Sequence, residues 1–192
     1  VLPIVTEYLD TYPAMHARTL FIDRQVNIVE EGLDLALRIG HLADSGLTAV
    51  RVGAVRHVIC GSPRYFESHG VPASPADLRQ HRIVASNSSW ASPEWRFAGG
   101  QRINIDPALQ CNTNQAVIDT ARSGWGLTRV LHYQIGAALL AGELQVVLEA
   151  FEEPPLPIHL VYPEGRQAPA KVRAFVDMAV SRLRGNPLFG EE

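Results

Sequence analysis

The sequence predicts an α/β protein built from two subdomains, on three observations. Strand-like and helix-like segments alternate along most of its 192 residues, as in a mainly parallel sheet flanked by helices. The run 48–60 is extended and valine-rich; at ~3.3 Å per residue it spans about 40 Å, enough to pass from one subdomain to another. The segment Glu152-Glu153-Pro154-Pro155-Leu156-Pro157 is the strongest linker signal in the chain and supplies a second crossing. The expected division puts residues 1–59 and 156–192 in one subdomain and 60–155 in the other.

The elements follow in order. Leu2, Val5, Leu9 and Tyr12 repeat at helical spacing, and Pro13 stops the helix. The chain opens without methionine and already in helical rhythm, so earlier residues are expected. Residues 17–23, with Leu20, Phe21 and Ile22, read as a strand, and 25–31 as a short helix closed by Gly32. Residues 33–40 form a nearly continuous apolar strand, the pattern of burial on both faces. Ser62-Pro63 starts a helix as N-cap and first helical residue, Gly70 ends it, and Ser74-Pro75 repeats the device. A short strand spans 82–86, and Trp90 sits in a polar loop over 87–93. Gly99-Gly100 lies between the two arms of a hairpin, 95–97 and 102–105. Leu109-Gln110-Cys111 is a strand, and Asn112 or Thr113 caps a helix running to Ser123. Gly124-Trp125-Gly126 turns into the strand 127–131. A helix over 133–141, capped by Gly142, leads to the strand 144–148. Strand 158–162 precedes a last helix whose apolar face is Val172, Phe175, Val176, Ala179 and Leu183. Residues 188–192 are expected to be a mobile tail.

Composition narrows the function. Hydrophobic residues make up 46%, charged residues 19%, and the net charge is −3, which excludes a broadly basic nucleic-acid surface in this chain. Two cysteines, Cys60 and Cys111, exclude a disulfide scaffold and read as buried thiols. No apolar run reaches the ~18 residues of a membrane span, and no leader is evident; a cytoplasmic protein without membrane association is expected. The sequence has no phosphate loop, no Gly-x-Ser-x-Gly elbow and no histidine pair at metal spacing. His41, Asp44 and His57 read as surface residues, and no catalytic residue, metal or cofactor is expected. In open α/β sheets ligands sit outside the carboxyl ends of strands. The groups there are Arg38 and Gly40, Ser62, Ser86 and Asn87, and Thr113 and Asn114, several of them at helix N-termini suited to an anion such as an organic acid.

Six motifs in order carry a resemblance. They are Val29-Glu30-Glu31-Gly32-Leu33-Asp34-Leu35-Ala36-Leu37-Arg38-Ile39-Gly40, Ser62-Pro63-Arg64-Tyr65-Phe66, and Asp77-Leu78-Arg79-Gln80-His81-Arg82. Ala121-Arg122-Ser123-Gly124-Trp125-Gly126-Leu127, Pro155-Leu156-Pro157-Ile158-His159-Leu160-Val161-Tyr162-Pro163, and Pro169-Ala170-Lys171-Val172-Arg173-Ala174-Phe175 complete the set. Together they resemble the effector-binding domain of LysR-type transcriptional regulators, most nearly the CrgA-like subgroup. The resemblance implies two Rossmann-like subdomains joined by two crossover strands, like a type II periplasmic binding protein. It implies a small-molecule effector in the cleft between them, bordered by Arg38, Gly40, Ser62, Ser86, Asn87, Thr113 and Asn114. It also implies a homodimer or tetramer, with residues 14–34 and the helix 62–70 at the interface. DNA would be bound through an N-terminal winged helix-turn-helix that this chain lacks. The family's first effector-domain strand and following loop are expected before Val1. A family proline after the Gly-x-Gly turn is replaced here, near Arg129. The alternatives are a stand-alone solute-binding protein of the same fold, or an enzyme.

Overall fold

The computed structural model describes residues 1–22, 26–87, 94–163 and 168–190. In chain order its elements are α1 (Leu2–Thr11), β1 (Ala36–Ile39), β2 (Leu47–Val55), β3 (His57–Gly61), α2 (Pro63–His69), β4 (Val84–Ser86), β5 (Glu94–Arg96) and β6 (Arg102–Asn104). There follow β7 (Leu109–Cys111), α3 (Asn114–Arg122), β8 (Thr128–Leu131), α4 (Gly136–Leu140), β9 (Gln145–Val147), β10 (Leu156–Pro163) and α5 (Ala170–Arg184). They fall into two compact units, Val1–Val55 with Leu156–Glu192, and Arg56–Pro155. The run 48–60 is two strands broken at Arg56. Residues 56–59 therefore lie with the second unit, because β3 pairs with β8 and β9.

In the first unit β10 lies between β1 and β2 and is antiparallel to both. β1 is thus an edge strand, half-buried along its length, rather than a strand buried on both faces. The apolar residues Ile158, Leu160 and Val161 of β10 are buried. α1 packs on α5: the Tyr8 hydroxyl donates to the Lys171 carbonyl at 3.0 Å, the Tyr8 and Phe175 rings meet edge-on at 5.3 Å, and Glu7 pairs with Arg182. The buried face of α1 is Ile4, Val5 and Tyr8, while Leu2 and Tyr12 are exposed, so the face is rotated from the one the spacing suggested. On α5, Val172, Val176, Ala179 and Leu183 are buried as expected.

Residues 17–22 form no strand; Leu20, Phe21 and Ile22 are exposed. Apolar residues without a partner edge do not make a strand. Of the helix expected over 25–31, the described residues 26–31 form one turn, closed where the Leu33 amide donates to the Ile28 carbonyl at 2.9 Å and Gly32 takes φ 63°, a left-handed position that favours glycine. Residues 188–189 are not a free tail. Asn186 accepts from the Leu188 amide at 3.0 Å, and Phe189 lies directly on Gly53 of β2, where a Cβ would sit 2.4 Å from its carbonyl oxygen.

In the second unit β4 and β7 are parallel, and a parallel bridge joins Ile83 to Leu127. β3 is antiparallel to β8 and to β9. It follows that β4, β7, β8 and β9 share one direction and β3 opposes them. The expectation of a mainly parallel sheet meets one reversed strand in each unit, β10 and β3. Because each reversed strand is central, most ladders are antiparallel. One core cluster gathers Ile59, Tyr65, Phe66, Leu78, Ile83, Trp95, Phe97 and Leu127. Another packs Val58, Cys60, Val130 and Ile135 against Ile118 and Ala121 of α3. The helix expected over 133–141 is a 3-10 turn, His132–Gln134, followed by α4. Trp90, with residues 88–93 of its expected loop, lies outside the described residues.

Gly126 is fixed by close approach. An added Cβ would sit 2.6 Å from the Arg82 carbonyl oxygen. That backbone cannot retreat, because the Leu127 amide donates to the same oxygen at 2.8 Å and the Val84 amide donates to Leu127 at 2.9 Å. Gly126→Ala is expected to destabilise by about 1–3 kcal/mol, read as a lower denaturation midpoint with an unchanged slope.

Candidate functional site

Three of the expected helix ends form as their local chemistry requires. Ser62 caps α2, its Oγ accepting from the Tyr65 amide at 3.2 Å. Thr113 caps α3, its Oγ1 accepting from the Ala116 amide at 3.3 Å. Asp77 accepts from the Ser74 amide at 2.8 Å and the Ala73 amide at 3.0 Å, and the Ser74 amide first, then the Ser74 hydroxyl and less so the Ala73 amide, hold its carboxyl below the usual range.

The carboxyl ends of β4 and β7 bring four of the expected residues together. Ser86 pairs in register with Cys111, and the Asn87 amide donates to the Cys111 carbonyl at 2.8 Å. Thr113 and Asn114 follow β7 and open α3. Asn87 and Thr113 are exposed, and Ser86 and Asn114 half-buried. This end of the unit carries the first-turn amides of α3, the Ser86 and Thr113 hydroxyls and the Asn87 and Asn114 carboxamides, none of which is charged. A polar or anionic group is what such an arrangement suits. Cys111 is half-buried here, not buried as expected, whereas Cys60 is buried and its thiol is pushed up to about 12 by burial.

Ser62 is not part of that end. Gly61 pairs with Gln145 and Cys60 with Thr128, which puts Ser62 at the amino ends of β8 and β9. A Cβ on Gly124 would lie 3.4 Å from Ser62 Oγ, so Ser62 sits by the carboxyl end of α3 while Thr113 caps its amino end. Nine residues of helix separate them, roughly 13 Å. An open depression of about 580 Å³ lies at the Ser62 end, lined by Ser62, Arg64, Asp119, Arg122, Ser123 and Glu143 among others. Arg122 there already pairs with Asp119 at 3.2 Å and Glu143 at 2.6 Å. That compensation, and its place at the amino ends of the strands, argue against it as the effector site.

In the first unit Arg38 and Gly40 stand at the carboxyl end of β1. The Arg38 guanidinium donates to the Val26 carbonyl at 2.6 Å, and Arg38 pairs across with His159, which pairs with Arg51. Burial, then Arg51 and His41, hold His159 below the usual histidine range. The Gly40 amide donates to Pro157 at 2.8 Å, and its φ of 109° favours glycine.

His57 is half-buried, not on the surface as expected. Burial, then the neighbouring Arg129, lower it to about 4. Among the described residues no three histidine, cysteine or acidic side chains are placed to hold a metal, and no helix is long and apolar enough to cross a membrane.

The sequence matches the family described as the LysR substrate binding domain over residues 1–184. Among curated relatives, an uncharacterized HTH-type transcriptional regulator of Haemophilus influenzae is 31% identical over 175 residues, covering 90% of this chain and 61% of the relative. The HTH-type transcriptional regulator CrgA of Neisseria meningitidis serogroup C is 27% identical, covering 98% and 64%. The chain thus spans about three-fifths of these relatives' length. The CrgA regulatory domain of Neisseria meningitidis superposes with a TM-score of 0.80 at 24% identity, over 95% of this chain and 91% of that one. The full-length Vibrio cholerae virulence activator AphB gives 0.83 at 22%, over 95% and 63%. These structures share the fold, the two-unit α/β architecture of periplasmic-binding-protein type II. On the match across residues 1–184, the chain belongs to the LysR substrate-binding domain family.

Proposed function

We propose that this chain is the effector-sensing domain of a LysR-type transcriptional regulator, with its effector contacts at the carboxyl ends of β4 and β7. The observation that carries the site is the convergence of Ser86, Asn87, Thr113 and Asn114 on that end, tied by the Asn87–Cys111 backbone bond. On the first unit the proposed contacts are Arg38 and Gly40. Ser62 drops out of the effector set and keeps its role as the α2 cap. The uncharged donors of the α3 turn and the Arg38 guanidinium favour an effector with an anionic group, such as an organic acid.

A ligand that prefers one conformation shifts the population toward it. Coupling that shift to DNA requires a reading domain outside this chain, as the HTH-type names of the relatives imply for those proteins. The names favour a regulator over a solute-binding protein or an enzyme, and such a regulator acts in the cytoplasm, on DNA, as a homodimer or tetramer. The exposed Leu20, Phe21, Ile22 and Val29 are the apolar surface proposed for subunit contact.

A thermal-shift screen against small aliphatic and aromatic carboxylates tests the reading. A ligand at 100 times its dissociation constant stabilises by about 2.7 kcal/mol. Thr113→Ala is expected to weaken any hit, and Ser62→Ala to lower stability by about 1 kcal/mol without weakening it.

A further inference from the structure

The chain enters the second unit at Arg56 and leaves it at Pro155, and charged side chains pair beside both points. Arg56 is held twice: its carbonyl accepts from the His132 amide at 3.0 Å, and its Nη1 donates to Glu152 Oε2 at 2.7 Å. Glu149 lies 4.0 Å from the same nitrogen. In β8, Arg129 Nη2 donates to Glu153 Oε2 at 2.7 Å. The Glu152 and Arg129 side chains are each only 14% exposed. The second carboxylate oxygen of Glu152 is buried with no partner among the described residues, so that carboxylate depends on Arg56. His57 lies close to the Arg129–Glu153 pair and is uncharged at neutral pH.

The segment 149–155 has one 3-10 turn of its own, the Phe151 amide donating to the Leu148 carbonyl at 2.9 Å and the Glu152 amide to the Glu149 carbonyl at 3.1 Å. It belongs to no strand, Pro154 and Pro155 have no amide hydrogen to donate, and Leu148 before it takes φ 61°, a costly conformation for a branched side chain. Phe151 packs at the margin of the core.

We propose that Arg56–Glu152 and Arg129–Glu153 form a two-point strap that binds the returning segment 149–155 to the residue entering β3 and to β8, making both connections of the second unit one junction. Exposed ion pairs contribute little. These two differ, because removing Arg56 strands the mostly buried Glu152 carboxylate and removing Arg129 strands the partly buried one of Glu153. The covalent route between the units runs through residues 55–56 and 155–156. A strapped junction passes a movement of β3 or β8 to both connections together. That consequence for signalling rests on the proposed function; the strap itself does not.

Hydrogen–deuterium exchange on the ligand-free chain tests it. In Arg129→Gln and in Arg56→Gln, amides of residues 149–153 should exchange about tenfold faster or more, with Val58, Ile59 and Cys60 unchanged. Exchanging the charges, Arg129→Glu with Glu153→Arg, should restore protection over 149–153. Glu153→Gln changes the more exposed partner and carries the same expectation should an arginine variant fail to fold. Unchanged exchange over 149–153 in these single variants overturns the proposal. So does equal acceleration through β3 and β8, because that is loss of the whole unit rather than of a strap.

Discussion

Replacing Tyr65 with alanine is expected to cost about 3–5 kcal/mol. Tyr65 is 1% exposed and sits in the core cluster with Phe66, Leu78 and Leu127. Its ring stacks on His69 at 4.3 Å with the planes 6° apart. Its hydroxyl accepts from the Arg82 amide at 3.0 Å and lies 3.3 Å from His81 Nδ1. The hydroxyl has one proton, so the consistent assignment has it donating to an unprotonated Nδ1. Burial, then the nearby His69, hold His81 below the usual histidine range, which supports that assignment. Tyr65→Phe separates the polar part from the packing. It leaves the Arg82 amide and the His81 nitrogen short of a partner, for about 1–3 kcal/mol. Urea denaturation of both variants checks the pair of values. A Tyr65→Phe protein as stable as wild type would mean the hydroxyl bonds are idle.

Acidification is expected to remove about 3 kcal/mol through His57 alone. Its ordinary value is 6.5 and its folded value is about 4. The unfolded chain therefore binds the proton more readily between these limits. The stabilisation is complete above 6.5 and is lost as pH falls toward 4. At pH 5 the loss through His57 is about 2 kcal/mol. His81 and His159 are also lowered and act in the same direction, so wild type alone does not isolate His57. The difference between wild type and His57→Gln does: the gap in unfolding free energy should change by about 2 kcal/mol between pH 7.5 and pH 5. A gap independent of pH would show that His57 is not held out of water.

Local chemistry made much of this domain legible. Ser62-Pro63, Thr113, Gly32 and Gly142 announce caps because an N-cap needs only a side chain and its next three amides, and a C-cap only a glycine free to turn left-handed. Register and direction depend on distant partners and were not legible. Ser62 and Thr113 look alike as N-caps, yet the reversal of β3 puts them at opposite ends of α3. Leu20-Phe21-Ile22 has the composition of a strand and finds no edge to pair with. Glu152-Glu153 reads as linker because its partners, Arg56 and Arg129, lie 96 and 24 residues away. Arg129 stood out as a departure after the Gly-x-Gly turn, but its partner did not. Arg38 was visible as a cation at a strand end, whereas its commitment to the Val26 carbonyl depends on how the chain folds back over β1.

Calorimetric titration of the strongest carboxylate hit into wild type, Thr113→Ala and Ser62→Ala decides at which end of α3 the effector binds. Ser62→Ala is expected to keep wild-type affinity and Thr113→Ala to lose about tenfold, the weight of one or two hydrogen bonds. Unchanged affinity in Thr113→Ala together with a loss in Ser62→Ala would contradict that expectation, and would move the effector to the opposite end of the second unit.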